Sequence, residues 1–545
     1  MIALFAQANL AVAQEETPIE VLNAETLEGI KLPDGRNVRK LLGNVQLKQD
    51  STLMYCDSAY QYEDENRVRA MSRVRIYMPG EEGRTTLIRA DRIDYDGKTR
   101  IAELYDHIVL EDSTRRLYTD RMTYYRNEGF AKYFNGGRLV DDENVMTSRR
   151  GNYTPRLRYA RFNDNVVLTA PKYVLTADSM HYQVRDKRAI FVTATLIKGR
   201  GKAERTLYTE RGYYLTRVRE AYLHQNPWYR DTSYTLYGDT LFFADSTGKG
   251  WAHCNVEMVN RDTSVTIFGE RGTFERQPGD TTGRGPRITR ISDHPYMVQR
   301  FESDTLTLFA DSLIAHDDSS RGIHWLDAYY HTRFAMRGMQ GRCDSLHYER
   351  VDSIMTLYRD PVLWADENQM TGDTIRIWMK NQQIDSLRIY TNGFMASREG
   401  DAHFNQLQAK QFYGKFRDNN LVWLYGEGNA ESIFFERQGN TLKSMNQSLS
   451  RAVVIRLKNN KPTKISIISN VDGDVYPIQN VFYERNQLKR FSWRESIRPP
   501  RYLLPERRTW EQIKAERAAT EERQKAKSKP QKEQKPAKPS ASASK

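Results

Sequence analysis

The chain of 545 residues has little with which to do redox or metal chemistry. Its three cysteines, Cys56, Cys254 and Cys343, are odd in number and too far apart for a metal knuckle or a redox pair. Cys56 and Cys343 each precede an Asp where similar stretches carry Ala90, Ala177 and Ala310, so the cysteines are expected to be small buried residues. The ten His are scattered, without His-Glu-x-x-His, and neither metal nor cofactor is expected. Walker, dinucleotide and Gly-x-Ser-x-Gly motifs are missing too, and Gly199-Arg200-Gly201-Lys202 lacks phosphate-loop spacing and reads as a turn. No run of about 18 apolar residues exists, so no membrane-spanning helix is expected. Apolar residues make up only 39%, against ~45–50% in ordinary globular domains. That deficit suits a thin, elongated core better than one large sphere.

Charge is present but uneven. The formal net charge is +13, of which residues 524–545 supply +6 and the rest of the chain +7. So mild an excess over so long a body argues against nucleic acid as a partner and leaves other polyanions open. The tail 524–545, built of Lys, Pro, Ala and Ser, has almost nothing to bury and is expected to be disordered. Ahead of it, 481–523 reads as an extension with a short helix, started by the capping-box spacing of Thr509 and Gln512. At the other end, Ile2 to Val12 is apolar and closes on Ala11-Val12-Ala13, so 1–13 reads as a signal-peptide-like leader cleaved after Ala13. The alternative is an apolar N-terminal strand. The leader implies export to the periplasm, and with no Cys after the cleavage site any membrane contact is expected to be indirect.

The dominant feature is a repeat that opens with small-Asp-x-apolar-x-aromatic: ADRIDY from Ala90, TDRMTY from Thr119, ADSMHY from Ala177, GDTLFF from Gly238 and CDSLHY from Cys343. With the weaker copies the openings are spaced 34, 29, 29, 29, 32, 29, 31, 41, 33, 29 and 37 residues apart, the mark of a repeat architecture. Residues at +2 and +4 from the opening are apolar or aromatic: Ile93 and Tyr95, Met122 and Tyr124, Met180 and Tyr182. A second stretch puts a small residue at +11 and a large one at +13, giving Leu104, Tyr133, Phe162 and Phe191. Charged or polar residues such as Arg92, Glu103, Lys132 and Arg161 lie between. This period of two describes two half-buried β-strands per unit. Such a unit cannot bury its apolar face alone, so neighbours must stack. About thirteen units would build a two-sheet slab roughly 60 Å long. The expected fold is therefore all-β, a repeat-built elongated β-jelly roll or solenoid-like stack of two-stranded units of about 29 residues, clearest over 20–270 and divergent over 271–480.

The repeated Asp57, Asp91, Asp120, Asp178, Asp239, Asp311, Asp344 and Asp373 could suggest carboxylate pairs for hydrolysis or calcium. An active site occurs once, whereas these recur with the fold, so they are expected to be structural, their side chains accepting turn N–H groups at corners. NVDGD, Asn470 to Asp474, lacks a distal Glu and reads as a hairpin turn.

The pattern, clearest in IRADRIDYDGKTRIAELYDHIVLED from Ile88 to Asp112, resembles the OstA-like family, which contains the lipopolysaccharide transport protein LptA and the periplasmic domain of LptD. That resemblance implies a twisted antiparallel β-jelly roll, an interior that takes the acyl chains of lipopolysaccharide, and end-to-end strand pairing with itself or with other transport components. On this reading the chain is not an enzyme but a periplasmic lipopolysaccharide-binding and bridging protein. Its apolar trough is lined by Ile93, Tyr95, Leu104, Met122, Tyr124, Tyr133, Phe162, Met180, Tyr182 and Phe191, and its pairing edges lie near Val38 to Leu47 and Ile465 to Ile468. A polysaccharide-active β-helix enzyme and a ligand-free structural repeat protein are the alternatives. N-terminal sequencing of protein from its native envelope should find the mature chain starting at or near Gln14; an intact apolar segment in a cytosolic protein would remove the periplasmic expectation.

Overall fold

The computed structural model describes residues 17–500 apart from 81–84, 113–114, 202–204, 262–263, 279, 281–283, 303, 401, 440, 460 and 482–485, together with 512, 515–516 and 518–519. The leader, its cleavage site and the tail lie outside the described residues. The helix expected to start at Thr509 does too, except for five exposed helical positions from Gln512 to Ala519. Described elements are antiparallel strands joined by turns, with two short 3-10 turns near the end. Two compact units are formed, one of Met1–His253, Gly272–Arg290 and Ala315–His324, the other of Cys254–Arg271, Ile291–Ile314 and Trp325–Lys545.

In the first unit each long strand is shared between two ladders. In Asn37–Gln49, Val38 to Leu42 pair with Tyr62 to Ser58, and Val45 to Gln49 pair with Cys56 to Thr52. Gly43 and Asn44, skipped by the register, have φ of 74° and 43°. Arg67–Pro79, Ile101–Asp112 and Tyr159–Thr169 are broken in the same way at Ser72-Arg73, Asp106-His107 and Asp164-Asn165. Further on, the halves become separate strands. Gly137–Asp141 continues one ladder from Thr119 to Arg115, and Phe130–Tyr133 continues the other from Tyr125 to Met122. The two ladders face each other, since Tyr182 Oη donates to Asp141 Oδ2 across the interior at 2.9 Å and the rings of Tyr173 and Tyr214 meet at 5.7 Å.

These corners need two successive residues at positive φ, a conformation that Asn, Asp and His tolerate best after Gly. The same two-residue step recurs in both units, as at Cys254-Asn255, Tyr330-His331 and Thr391-Asn392. Ser469-Asn470 is another, so NVDGD is not a hairpin tip. Its Asp472 to Asp474 belong to the strand Asp472–Pro477, which pairs with Leu449 to Ser444. Val38 to Leu47 is not an edge either. Glu20–Asn23 and Thr26–Lys31 both pair with Asn37–Gln49, and these short, exposed, charged strands form the outer row.

The second unit has a sheet covered on both faces. Gln340, Trp364, Gln369, Ala396, Gln406 and Ile433 stand opposite one another in a single row across five strand pairs. The chain from Asn486 to Arg498 crosses this row as a strap. Gln406 donates to the Asn486 carbonyl at 2.7 Å and accepts from Leu488 N–H at 2.8 Å. Gln369 repeats the exchange with Ser492 and Arg494, both at 2.7 Å, and Gln340 Oε1 accepts from Arg498 Nε at 2.8 Å. Beneath it Leu488, Phe491 and Trp493 pack on Phe394, Ala396, Ile433, Phe435 and Met445. Arg494 adds an exposed pairing with Asp360 at 2.7 Å. A short 3-10 turn, Glu495–Ile497, is the described regular structure of the strap.

Replacing Gln369 by Ala would strand the N–H of Arg494 and the carbonyl of Ser492 beneath the strap, at a cost of about 1–3 kcal/mol. Urea unfolding should show that loss, and hydrogen exchange should quicken over 488–494 while the strands beneath stay protected. Unchanged exchange of the strap would show that apolar packing alone holds it.

Candidate functional site

Two cross-strand rows line the interior of the first unit. One runs Ala70, Ile93, Leu104, Met122, Tyr133, Gly151, Phe162, Met180, Phe191, each opposite the next. Gly151 leaves the space that Tyr133 fills, because a Cβ there would lie 2.3 Å from Tyr133 Oη. The second row runs Val68, Tyr95, Ala102, Tyr124, Ala131, Tyr153, Ala160, Tyr182, Ala189, Tyr214, Ala221. Aromatic and small residues thus alternate along one line, Tyr95 between Val68 and Ala102 and each later tyrosine between two alanines. All ten residues expected to line a trough are here and all are buried. At about 1.5–3 kcal/mol per large side chain, they dominate the packing of this unit.

The tyrosine hydroxyls reach a polar rim on the facing ladder, which the sequence reading missed. Tyr95 donates to Gln49, Tyr153 to Asp112 Oδ2 at 3.0 Å and Tyr182 to Asp141 Oδ2 at 2.9 Å. Asp141, fully buried, is also paired with Lys187 Nζ at 2.5 Å and Arg115 at 3.5 Å. Farther along, Asp245 meets Arg276 at 2.6 Å, and Asp231 meets Arg287 at 2.8 Å. Burial first, and the Asp partner second, raise the Tyr153 and Tyr182 phenols above the usual range, so both remain protonated donors. Burial likewise pushes Tyr133 up to about 12.

The rim has a gap. In rim order Met78, Thr86, Asp112, Arg115, Asp141 and Asn144 stand opposite one another, and Met78 occupies a position where an acid could have served Tyr124. Met78 and Tyr124 instead line a cleft of about 680 Å³ with Asp112, Pro155, Arg156, Leu157, Arg158 and Arg185. Leu157 is 71% exposed there. The cleft joins an apolar floor to three guanidinium-bearing residues, a combination suited to an amphipathic anion.

The repeated Asp residues do not gather. Asp57 binds Arg73 at 2.8 Å, Asp91 binds His107 at 2.7 Å, Asp311 binds His331 at 2.8 Å and Asp344 binds Arg359 at 3.3 Å, each pairing with a corner residue of the neighbouring strand. Asp373 accepts from Thr391 Oγ1 at 2.6 Å and from Asn392. Asp120 and Asp178 stand opposite the corners Asp106-His107 and Asp164-Asn165. In place of carboxylates accepting turn N–H groups, these carboxylates accept from side chains. It is the backbone N–H of Asp344 and Asp373 that reaches the corner carbonyls of Arg359 and Thr391, both at 3.2 Å, while that of Asp239 reaches His253 at 3.1 Å. The Asp91 hydrogen bond raises the His107 pKa above its ordinary value. Among the described residues no cluster of three or more His, Cys, Asp or Glu could hold a metal. Cys56 and Cys343 are buried, their thiols pushed up to about 12 by burial, but Cys254 is exposed, because it occupies a corner.

Comparison with known proteins finds two family matches. Residues 16–178 match the family described as OstA-like protein, and residues 300–383 match the LptA/(LptD N-terminal domain) LPS transport protein family. No curated protein matches. Among solved structures, the chain is similar to LptH, the LptA-homologous periplasmic component of the lipopolysaccharide transport device of Pseudomonas aeruginosa. The identity is 21%, the match covers 20% of this chain and 77% of that one, and the TM-score is 0.18.

Substituting Asp141 by Ala would take the acceptor from the buried Tyr182 hydroxyl and leave Lys187 only Asp142 and Arg115 only Asp112 as counter-charge, a loss of about 1–3 kcal/mol. Denaturant titration should detect it, and Asp141→Asn should fall between the two. An Ala variant as stable as wild type would mean the rim is hydrated rather than closed.

Proposed function

We propose that this chain, whose residues 16–178 match the OstA-like family and whose residues 300–383 match the LptA/(LptD N-terminal domain) family, is a periplasmic lipopolysaccharide-binding and bridging protein of outer-membrane lipopolysaccharide export. One observation carries the reading: the polar rim that seals the apolar interior is interrupted at Met78 and Tyr124, and there it opens on a cleft with Arg156, Arg158 and Arg185. Acyl chains pass the gap and lie along Ile93, Leu104, Met122, Tyr133, Phe162, Met180 and Phe191, while anionic headgroup phosphates stay at the arginines. The interior has to part for this, since these side chains are packed together in the described state. The two facing sheets meet on the rim side through side chains, and that side is where they can separate.

Bridging uses backbone rather than side chains. Lys461–Ile468 pairs with Ala452 to Lys458, and its other flank offers donors and acceptors to an added strand, as do the exposed Glu20–Asn23 and Thr26–Lys31. The chain carries its ligand without catalysing a reaction on it. The spread of the repeat carboxylates, each at its own corner, supports this against a polysaccharide-active enzyme.

A photo-reactive residue placed in vivo at Ile93, Leu104, Tyr124, Phe162, Met180 or Phe191 should capture lipopolysaccharide, and at Arg92, Glu103, Lys132 or Arg161 should not, because a one-residue step reverses the face of a strand. Met78→Asp should lower capture at Tyr124 by at least fivefold by closing the rim on its hydroxyl. Equal capture on both faces, or none on either, would leave a scaffold with a dry core.

A further inference from the structure

In the second unit a cleft of about 700 Å³ lies where the strap ends. Ser496 to Pro500 wall one side of it, and His294, Tyr296, Phe309, Asp311, His331, Arg333 and Arg342 supply the remainder. Its floor is the outer face of the sheet. Phe309 stands opposite Arg333, and Arg333 directly opposite Arg342. Like charges facing each other across two strands are destabilising. Some arginines have acids in reach, as Arg73 has Asp57 and Arg494 has Asp360, whereas others, such as the facing Arg376 and Arg388, rest on aromatic rings. Arg333 and Arg342 have no ion pair among the described residues. Arg333 has only the Phe309 ring, 5.4 Å from its Cζ, and the acids nearest at hand are taken, Asp311 by His331 and Glu495 by Arg498.

We propose that this cleft is a binding site for a phosphate monoester carried on a sugar ring. Two guanidinium groups on directly opposed residues match a dianionic phosphate, whose charge turns their mutual repulsion into joint attraction. The volume far exceeds what a bare phosphate needs. The remaining walls, Tyr296, Ile497, Pro499 and Pro500, offer the apolar surface on which the CH face of a saccharide packs. The choice of a sugar rests on the envelope function proposed above. The site itself does not, since it stands on an outer face and uses none of the interior rows. Both a free sugar phosphate and the headgroup of a glycolipid present this chemistry.

Full-length protein titrated calorimetrically with glucosamine 1-phosphate should bind it, more weakly as salt rises, and should ignore methyl glucoside. Arg342→Gln and Arg333→Gln should each weaken binding at least tenfold. Because one of two facing like charges is removed, the free variants should melt no lower than wild type. Rough lipopolysaccharide tested in parallel separates the sources: an Arg342-dependent signal with it alone assigns a lipid-linked headgroup, and one with the sugar phosphate assigns a soluble ligand. Equal binding by variants and wild type, equal binding of the neutral sugar, or a lower melting temperature of free Arg342→Gln would each overturn the proposal. Loss here with intact capture at Tyr124 removes this site alone, and the reverse pattern removes the transport reading alone.

Discussion

Each long strand has to serve two sheets, and two consecutive residues at positive φ make that possible. At Gly43-Asn44, Asp106-His107 or Asp164-Asn165 the chain steps out of one ladder and into another without leaving the strand. The step holds the two sheets together covalently along one side, and many such turns have an Asp of an adjacent strand opposite them, although Arg149, Glu210, Lys410 and Arg451 hold that place at others. A carboxylate at that position binds the side chain of the corner residue, as Asp57 does with Arg73 and Asp91 with His107. These pairs are exposed and contribute little energy each. Their recurrence follows that of the corner, which accounts for an acidic residue repeating through the chain.

With one side closed by the backbone, everything about access depends on the other. There the sheets meet through side chains: tyrosines from one ladder, acids and amides from the other, cations bridging them. Alanines between the tyrosines leave room for the rings in a single row, and the hydroxyls of Tyr95, Tyr153 and Tyr182 reach Gln49, Asp112 and Asp141. A buried acid such as Asp141 is costly unless every partner is in place, so the rim is either complete or open. Among the described residues Met78, an unbranched apolar side chain, stands in the rim row that carries Asp112 and Asp141 farther along, and beside it lies the cleft that Tyr124 helps to line.

The second unit solves a different problem. Its sheet is apolar on both faces, and the outer face would invite aggregation if left bare. The strap from Asn486 to Arg498 covers it, held by Gln369 and Gln406, which treat the strap backbone as another strand would, and by Gln340, which accepts from the Arg498 side chain. The amides give and accept hydrogen bonds without charge, so the strap is anchored by geometry, and its apolar side chains supply the adhesion.

The all-β class and the inward face of the strands in the first unit were legible in the residues, because a strand alternates faces with a period of two whatever surrounds it, while antiparallel pairing was implied by the family resemblance. Ile93, Leu104, Phe162 and Met180 therefore went inside as their pattern required. The corners left a fainter trace, an Asn or His at the second position as in Asn44, Asn165, His107 and His331, which is readable once the backbone requirement is known. Nothing local marks Asp112 and Asp141 as the partners of Tyr153 and Tyr182, since each pair is 41 residues apart and is joined only when two ladders fold face to face. The same holds for the Met78 gap, the glutamine row under the strap and the facing Arg333 and Arg342. Sequence determines which side of a strand a residue occupies, whereas only the tertiary fold decides which residue it meets there.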